Sequence, residues 1–449
     1  MNTTTPEAQG HLKRTLGLWA VVLFGLAYMT PMIVYGTFGV LSEVSHGMVP
    51  TSYLLALCAV LLTAVSYGKM AYIFPVAGSA YTYARKSIGS NIGFIVGWAV
   101  LLDYFFLPMV IWLIGAAYLG EAFPAIPTQV WLIGFIFVTT VINIIGIAFA
   151  SKVNFVLMIM QSLMVAAFIL LCIHYVTAAQ GVGGLISAKP FFNADVKFSF
   201  AFAGAAIAAY SFLGFDAVTT LTEETIEPKR NMPRAIMLIA LIGGAIFVAA
   251  AYFAQLAHPS STFENVDAAA FVIATNIGGD VFAAIFLIGL IIAQFASGLA
   301  AQTSVGRLLY AMGRDNVLPK RVFGYIHPRF NTPVYNLVLA SLVGLMALYL
   351  DVATSTSFIN FGAFLAFTFV NLSVILLVLK KHEAVRDTGV LTGLIVPALG
   401  AVFNLYLLIN LDGKAITLGC IWLGLGVLYL AYLTRGFSRP PPDVNFAEA

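Results

Sequence analysis

The sequence predicts an all-α integral membrane protein with twelve transmembrane helices, the first and sixth of them broken. Three observations predict it: a composition almost empty of charge, a series of long apolar runs, and a lopsided distribution of basic residues. Of 449 residues, 61% are hydrophobic and only 9% charged. A soluble domain carries about 25% charged residues, because its core needs a solvated cover. A chain this poor in charge has lipid as its solvent for most of its length. Lys and Arg total 22 against 19 Asp and Glu, and no basic patch with interleaved aromatics occurs. No nucleic-acid partner is expected.

Runs of about 20 apolar residues can each cross the hydrocarbon core. They occur near residues 15–41, 51–74, 93–119, 128–148, 153–176, 199–223, 234–257, 278–306, 333–350, 353–379, 389–410 and 414–435. The first run follows a polar dozen residues and is too long for a cleaved leader, so it reads as a retained span. If the N-terminus is inside, 19 of the 22 basic residues fall on the cytoplasmic side, leaving Lys189, Lys197 and Lys414 outside. A miscounted span would invert every later loop and erase that bias. The expectation is a multi-pass protein of the inner (plasma) membrane with both termini cytoplasmic. It divides into a tail over residues 1–14, a core over 15–379, two added spans over 380–435 and a tail over 436–449.

The first span contains Gly25, Thr30, Pro31, Gly36 and Gly39; the sixth contains Gly204, Ser211 and Gly214, followed by Asp216. Pro removes a backbone donor and Gly weakens a helix, so both spans are candidates for discontinuity. Paired interruptions in matching positions of two halves point to inverted repeats. The spacing fits two five-span repeats of opposite orientation followed by two further spans. The competing explanation is the ordinary enrichment of Gly and Pro in membrane helices.

The three Cys, at 58, 172 and 420, lie in separate apolar stretches without metal or disulfide spacing, and read as small buried hydrophobes. All six His fall in tails, loops or span ends, which argues against a histidine proton relay. No Ser/His/Asp set, metal-ligand cluster or phosphate-binding glycine loop is present, so neither an enzyme nor a cofactor is expected. Glu223, Glu224 and Glu227 with Lys229 and Arg230 form the densest charge cluster. It reads equally as a solvated loop or an inner gate.

Two acidic residues sit well inside apolar runs, Asp103 in the third and Asp216 in the sixth. A carboxylate at mid-bilayer costs about 2.5–3.5 kcal/mol on insertion scales, so it faces a cavity or a partner. No Lys or Arg occupies the middle of any span. The natural partner is therefore a cation from outside: an amine, a proton or a metal ion. The alternative for each is a protonated carboxyl bonded to a neighbouring helix. Aromatic residues flank both positions, Tyr104, Phe105 and Phe106 beside Asp103, and Tyr210, Phe212 and Phe215 beside Asp216. Ring faces attract ammonium groups and pack alkyl chains, although helix packing is the commoner use of any single ring.

The motifs resemble a known family. "GLAYMTPM" (Gly25 to Met32), "FPVAGSAYTYARKS" (Phe74 to Ser87), "VGWAVLLDYFFLPM" (Val96 to Met109), "SFLGFDAVTTLTEET" (Ser211 to Thr225), "RLLYAMGRDNVLP" (Arg307 to Pro319) and "INFGAFLAFTFVNLSV" (Ile359 to Val374) occur in this order. Together they resemble the amino acid–polyamine–organocation transporter superfamily and, within it, the putrescine importers. The resemblance runs from about Leu12 to Arg435. It implies a LeuT-like five-plus-five inverted-repeat fold, alternating access, and substrate contacts at Tyr104, Asp216 and the first-span bend.

Amino acid members of that superfamily have a Gly-Ser-Gly-like bend whose bare amides hold the substrate carboxylate. Here the matching stretch reads Pro31, Met32, Ile33, and Pro31 offers no N–H. Two acids and a poor carboxylate cradle suit a substrate with amines and no carboxylate. The expected activity is secondary active import of a small aliphatic amine, putrescine first, with an amino acid transporter or a monoamine importer as alternatives. The expected substrate residues are Asp103, Tyr104, Asp216, Phe212, Gly214, Tyr28, Met29, Thr30, Pro31 and Met32, with the two aspartates as candidates for proton coupling. Two departures stand out. Putrescine importers carry "FDTFG" where this chain has Tyr35-Gly36-Thr37-Phe38-Gly39, and proton-coupled relatives often carry a fifth-span Lys where Gln161 aligns. The oligomeric state is not legible.

Overall fold

The computed structural model describes residues 14–76, 79–145, 151–386 and 388–442. Residues 1–13 of the predicted tail over 1–14, residues 443–449 of the predicted tail over 436–449, and Ala77-Gly78 of the second motif lie outside the described residues. Among the described residues, eleven helices are long and apolar enough to cross a membrane. They are Leu18–Gly36, Val49–Ile73, Ser90–Ala122, Thr128–Ile145, Val156–Gln180, Ser199–Thr222, Pro228–Ala257, Val266–Arg314, Val352–Leu379, Leu391–Ile409 and Gly413–Leu433. A shorter apolar helix, Val334–Leu348, occupies the ninth predicted run and completes twelve. Among the described residues the only β-type pairing is an isolated bridge between Leu16 and Thr225.

Burial separates the centre of the bundle from its rim. In the sixth span 83% of the most apolar window is buried, against 17% in the twelfth. An apolar helix exposed over most of its surface, as the twelfth is, is stable where its solvent is lipid. The twelfth span is held to the third by a reciprocal pair of indoles. Trp98 Nε1 donates to the Trp422 carbonyl at 2.9 Å and Trp422 Nε1 donates to the Trp98 carbonyl at 2.8 Å. Their rings stack at 5.1 Å, so two indole N–H groups at membrane depth are satisfied by one contact.

Both expected discontinuities are present. The first span runs as helix from Leu18 to Met29, breaks at Thr30-Pro31-Met32 and resumes at Ile33–Gly36. Thr30 sits at φ 55°, ψ 90°, a conformation that costs a β-branched residue energy. The sixth runs as helix over Ser199–Ala208 and tightens to a 3₁₀ turn over Ala209–Phe212. Leu213 is extended, Gly214 takes φ 106°, and a 3₁₀ helix resumes over Ala217–Glu224. The ends of the two broken spans are tied together. Thr15 and Leu16 N–H groups both donate to the Glu224 carbonyl, and Ile226 N–H donates to the Leu16 carbonyl at 2.9 Å.

Several boundaries differ from the sequence reading, the third and eighth helices among them. The third helix spans Ser90–Ala122, longer than the predicted 93–119. The eighth extends over Val266–Arg314 with a kink at Gly279, far beyond 278–306. Both continue past the apolar run because helix propensity does not stop where lipid does. Residues 79–87, read as a connecting stretch, form a short helix, Ser79–Ser87, packed against the third span.

Candidate substrate site

The break in the sixth span sets the half-buried Asp216 within electrostatic reach of Asp103 on the third helix. Asp216 is the N-cap of the second half of the sixth span, and Asp103 lies close to the middle of the 33-residue third helix. The charge of Asp216 reaches Asp103, and both are felt at Tyr28, which ends the first half of the first span. Tyr104 lies within electrostatic reach of both carboxylates, and Tyr210 of Asp103. Gly214 makes this approach possible. A Cβ there would stand 2.2 Å from Tyr28 Cδ1, and its φ of 106° is one that L side chains rarely adopt.

The carboxylates differ in their surroundings. Asp216 Oδ2 accepts hydrogen bonds from the Tyr67 hydroxyl at 3.1 Å and the Ser79 hydroxyl at 3.3 Å. Asp103 makes no hydrogen bond among the described residues, and its Oδ1 is buried. Neither forms an ion pair with a described basic side chain. Four residues beyond Tyr104, Pro108 sits inside the third helix. Its missing N–H leaves the Tyr104 carbonyl without an intrahelical donor, adding an acceptor beside Asp103.

Two cavities meet at Tyr28. The larger, about 300 Å³, is walled by Tyr28, Ser79, Tyr104, Thr220 and Arg307 among others, and lies toward the basic end of the bundle. The smaller, about 100 Å³, includes Met29, Thr30, Gln161, Tyr210 and Gln294. On the opposite side of the break Tyr35 is packed against Phe168 at 4.1 Å and Phe286 at 5.7 Å. The Tyr118 hydroxyl closes over it, donating to the Tyr35 carbonyl at 2.6 Å. The site is therefore shut on that side, and its larger cavity leads the other way.

A profile described as amino acid permease matches residues 20–434. The chain belongs to the amino acid permease family. This permease is 41% identical over 446 residues, 98% of each chain, to the low-affinity putrescine importer PlaP of Escherichia coli K12. It is 26% identical to the branched-chain amino acid permease BcaP of Bacillus subtilis, covering 95% of this chain and 94% of that one. Among solved structures it is similar to an inward-facing conformation of Mhp1, with a TM-score of 0.58, 14% identity and 95% of both chains covered. The permease is thus a multi-pass membrane transporter, not an enzyme, with the LeuT-like inverted-repeat fold.

Of the residues singled out in the permease sequence, the structure gathers Tyr28, Asp103, Tyr104, Gly214 and Asp216, with Met29 and Thr30 at the bend. Others stand apart. Phe212 is buried in the core, edge-on to Phe247 at 5.3 Å, and Met32 packs toward Gly289. Neither they nor Pro31 line the two cavities, and nor do Asp103, Gly214 and Asp216, which stand behind the lining residues Tyr28, Ser79, Tyr104 and Ala217. Gln161 lines the smaller cavity with its Oε1 buried and without a hydrogen bond among the described residues. Sequence reasoning missed Tyr67 and Ser79, the donors to Asp216. Ser79 stood inside a recognised motif, but nothing marked it as the residue that reaches the carboxylate.

Proposed function

We propose that this transporter is a secondary active importer of a small aliphatic amine, with putrescine as the first candidate substrate. The observation that carries the reading is the pair of half-buried carboxylates within electrostatic reach of each other, with no described basic side chain paired to them. Such a pair recruits external cationic charge. Asp103 and Asp216 hold ammonium groups, Tyr28 and Tyr104 cover the alkyl chain, and Tyr67 and Ser79 orient the Asp216 carboxylate. Similarity to a protein named as a putrescine importer supports the same substrate class. Both termini lie in the cytoplasm, so the larger cavity at the basic end is the route of release. The division into a core over residues 15–379 and two added spans follows the family's architecture.

The second reading is amino acid transport, favoured by the family's description and by similarity to a branched-chain amino acid permease. Pro31 at the bend weighs against it, since it removes an amide that could hold a substrate carboxylate. Vesicles reconstituted with the purified protein separate the two. Labelled putrescine should accumulate and be displaced by unlabelled diamines, but not by leucine or valine. Displacement by those amino acids, with no putrescine uptake, overturns the proposal. Proton coupling through an aspartate predicts that an imposed inward proton gradient accelerates uptake; an unchanged rate excludes it.

A further inference from the structure

A third cavity lies away from the substrate site, at the basic end of the bundle between the second and seventh spans. Its volume is about 640 Å³, and its wall carries four cations, Lys69, Lys229, Arg230 and Arg234, and, among the described residues, no acid. Three of them sit in the first two turns of the seventh helix, which begins at Pro228. Lys69 comes from the second helix, Val49–Ile73. Apart from Thr388, the rest of the wall is apolar or aromatic, including Val65, Tyr72 and Met237.

The charges in this cavity are poorly compensated from within the protein. Lys69 Nζ is buried and has no hydrogen-bond partner among the described residues. Lys229 Nζ rests 5.7 Å from the centre of the Tyr72 ring. Arg230 reaches Glu227 at 3.4 Å in an exposed pair, which contributes little. An ammonium withdrawn from water without a counter-charge is costly, so a site that retains one is completed by an anion.

The position of the cavity says which kind of anion. Leu241 lies seven residues beyond Arg234, on the same face of the helix, and is 44% exposed. An exposed leucine within a span faces acyl chains. The cavity therefore sets a cluster of cations at the helix ends directly below an apolar surface that lipid covers. That is the arrangement of a phospholipid: phosphate at the level of the cations, chains along the apolar wall.

We propose that the cleft between Lys69 and Arg234 binds the headgroup of an anionic phospholipid, whose acyl chains lie along Val65, Met237 and Leu241. The site is separate from substrate binding, and the proposal does not depend on which amine is carried.

The test uses the full chain in a neutral detergent, with phosphatidylglycerol, phosphatidylcholine and glycerol 1-phosphate as probes. Native mass spectrometry should show wild-type protein retaining phosphatidylglycerol in preference to phosphatidylcholine. Each lost cation should weaken retention about fivefold, so Lys69→Gln with Arg234→Gln should weaken it about 25-fold. Lys69→Arg, which keeps the charge, should retain the lipid. The double variant should unfold at the wild-type temperature in phosphatidylcholine, and should lose the added stability that phosphatidylglycerol confers on the wild type. Equal retention of phosphatidylglycerol by wild type and double variant overturns the proposal. So does equal retention of the two lipids by the wild type, or equal protection by glycerol 1-phosphate, which would make the ligand a soluble anion.

Discussion

Replacing Gly214 by Ala tests the geometry on which the substrate site depends. The new methyl group would stand 2.2 Å from Tyr28 Cδ1, 3.0 Å from Cε1 and 3.1 Å from Cγ. Carbon atoms in contact stay about 3.5–4.0 Å apart, so the ring must retreat by more than an ångström from the point where the two cavities meet. The backbone adds its own cost, because φ at this position is 106°. A left-handed conformation costs an L residue about 1–2 kcal/mol, and overpacking a filled site costs about 1–3 kcal/mol. The variant should therefore lose about 2–5 kcal/mol, folded but with uptake reduced at least tenfold. Thermal unfolding in detergent and uptake into vesicles measure the two effects. A double-mutant cycle with Tyr28→Ala separates them: removing the ring should recover the steric part and leave the backbone part. Wild-type stability and uptake in Gly214→Ala, or additivity in the cycle, would refute the reasoning.

Tyr67→Phe removes the shorter of the two hydrogen bonds to Asp216 Oδ2. It should raise the half-saturating putrescine concentration about tenfold, consistent with about 1.5 kcal/mol for a bond to a charged group, with Ser79→Ala smaller in the same direction. Gly36→Asp restores the acid that putrescine importers carry there. A Cβ at this site would lie 3.2 Å from Ile114 Cγ2 and 3.6 Å from Gln294 Nε2, so a small shift admits a carboxylate beside an amide donor. The half-saturating putrescine concentration of the variant should fall about tenfold in concentration-dependent uptake, in line with one added charged hydrogen bond. Trp422→Phe breaks one of the reciprocal indole bonds to the third span. The unfolding midpoint should drop by a few degrees, for a loss of about 1 kcal/mol, while uptake at low temperature stays as in the wild type.

What was legible in the sequence follows from how each signal arises. Asp103 and Asp216 stood out because a carboxylate in an apolar run is expensive. The breaks stood out because Pro31 removes an amide and Gly214 tolerates a backbone that other residues avoid. Tyr67 and Ser79 carry no comparable mark, since a tyrosine in an apolar run reads as packing, and Ser or Thr hydroxyls inside helices commonly bond a carbonyl one turn back, as Thr139 and Thr177 do here. Only the fold brings two of them to one oxygen. Phe212 was weighed by its proximity to Asp216 in sequence. The tight 3₁₀ turn over Ala209–Phe212 carries its ring into the core instead. The basic cavity was invisible because Lys69 and Arg234 are 165 positions apart in the chain and meet only through packing of the second and seventh helices. In the sequence, Lys229 and Arg230 belong to a charge cluster that reads as a solvated loop or an inner gate, with nothing to join it to Lys69.

The central claim is that Asp103 and Asp216 bind a cationic amine. Uptake of labelled putrescine by vesicles containing equal amounts of wild type, Asp103→Asn and Asp216→Asn tests it most directly. The Asn side chain keeps the shape of Asp and removes the charge, so each variant should insert normally and lose nearly all uptake. Wild-type uptake by both variants would contradict the account.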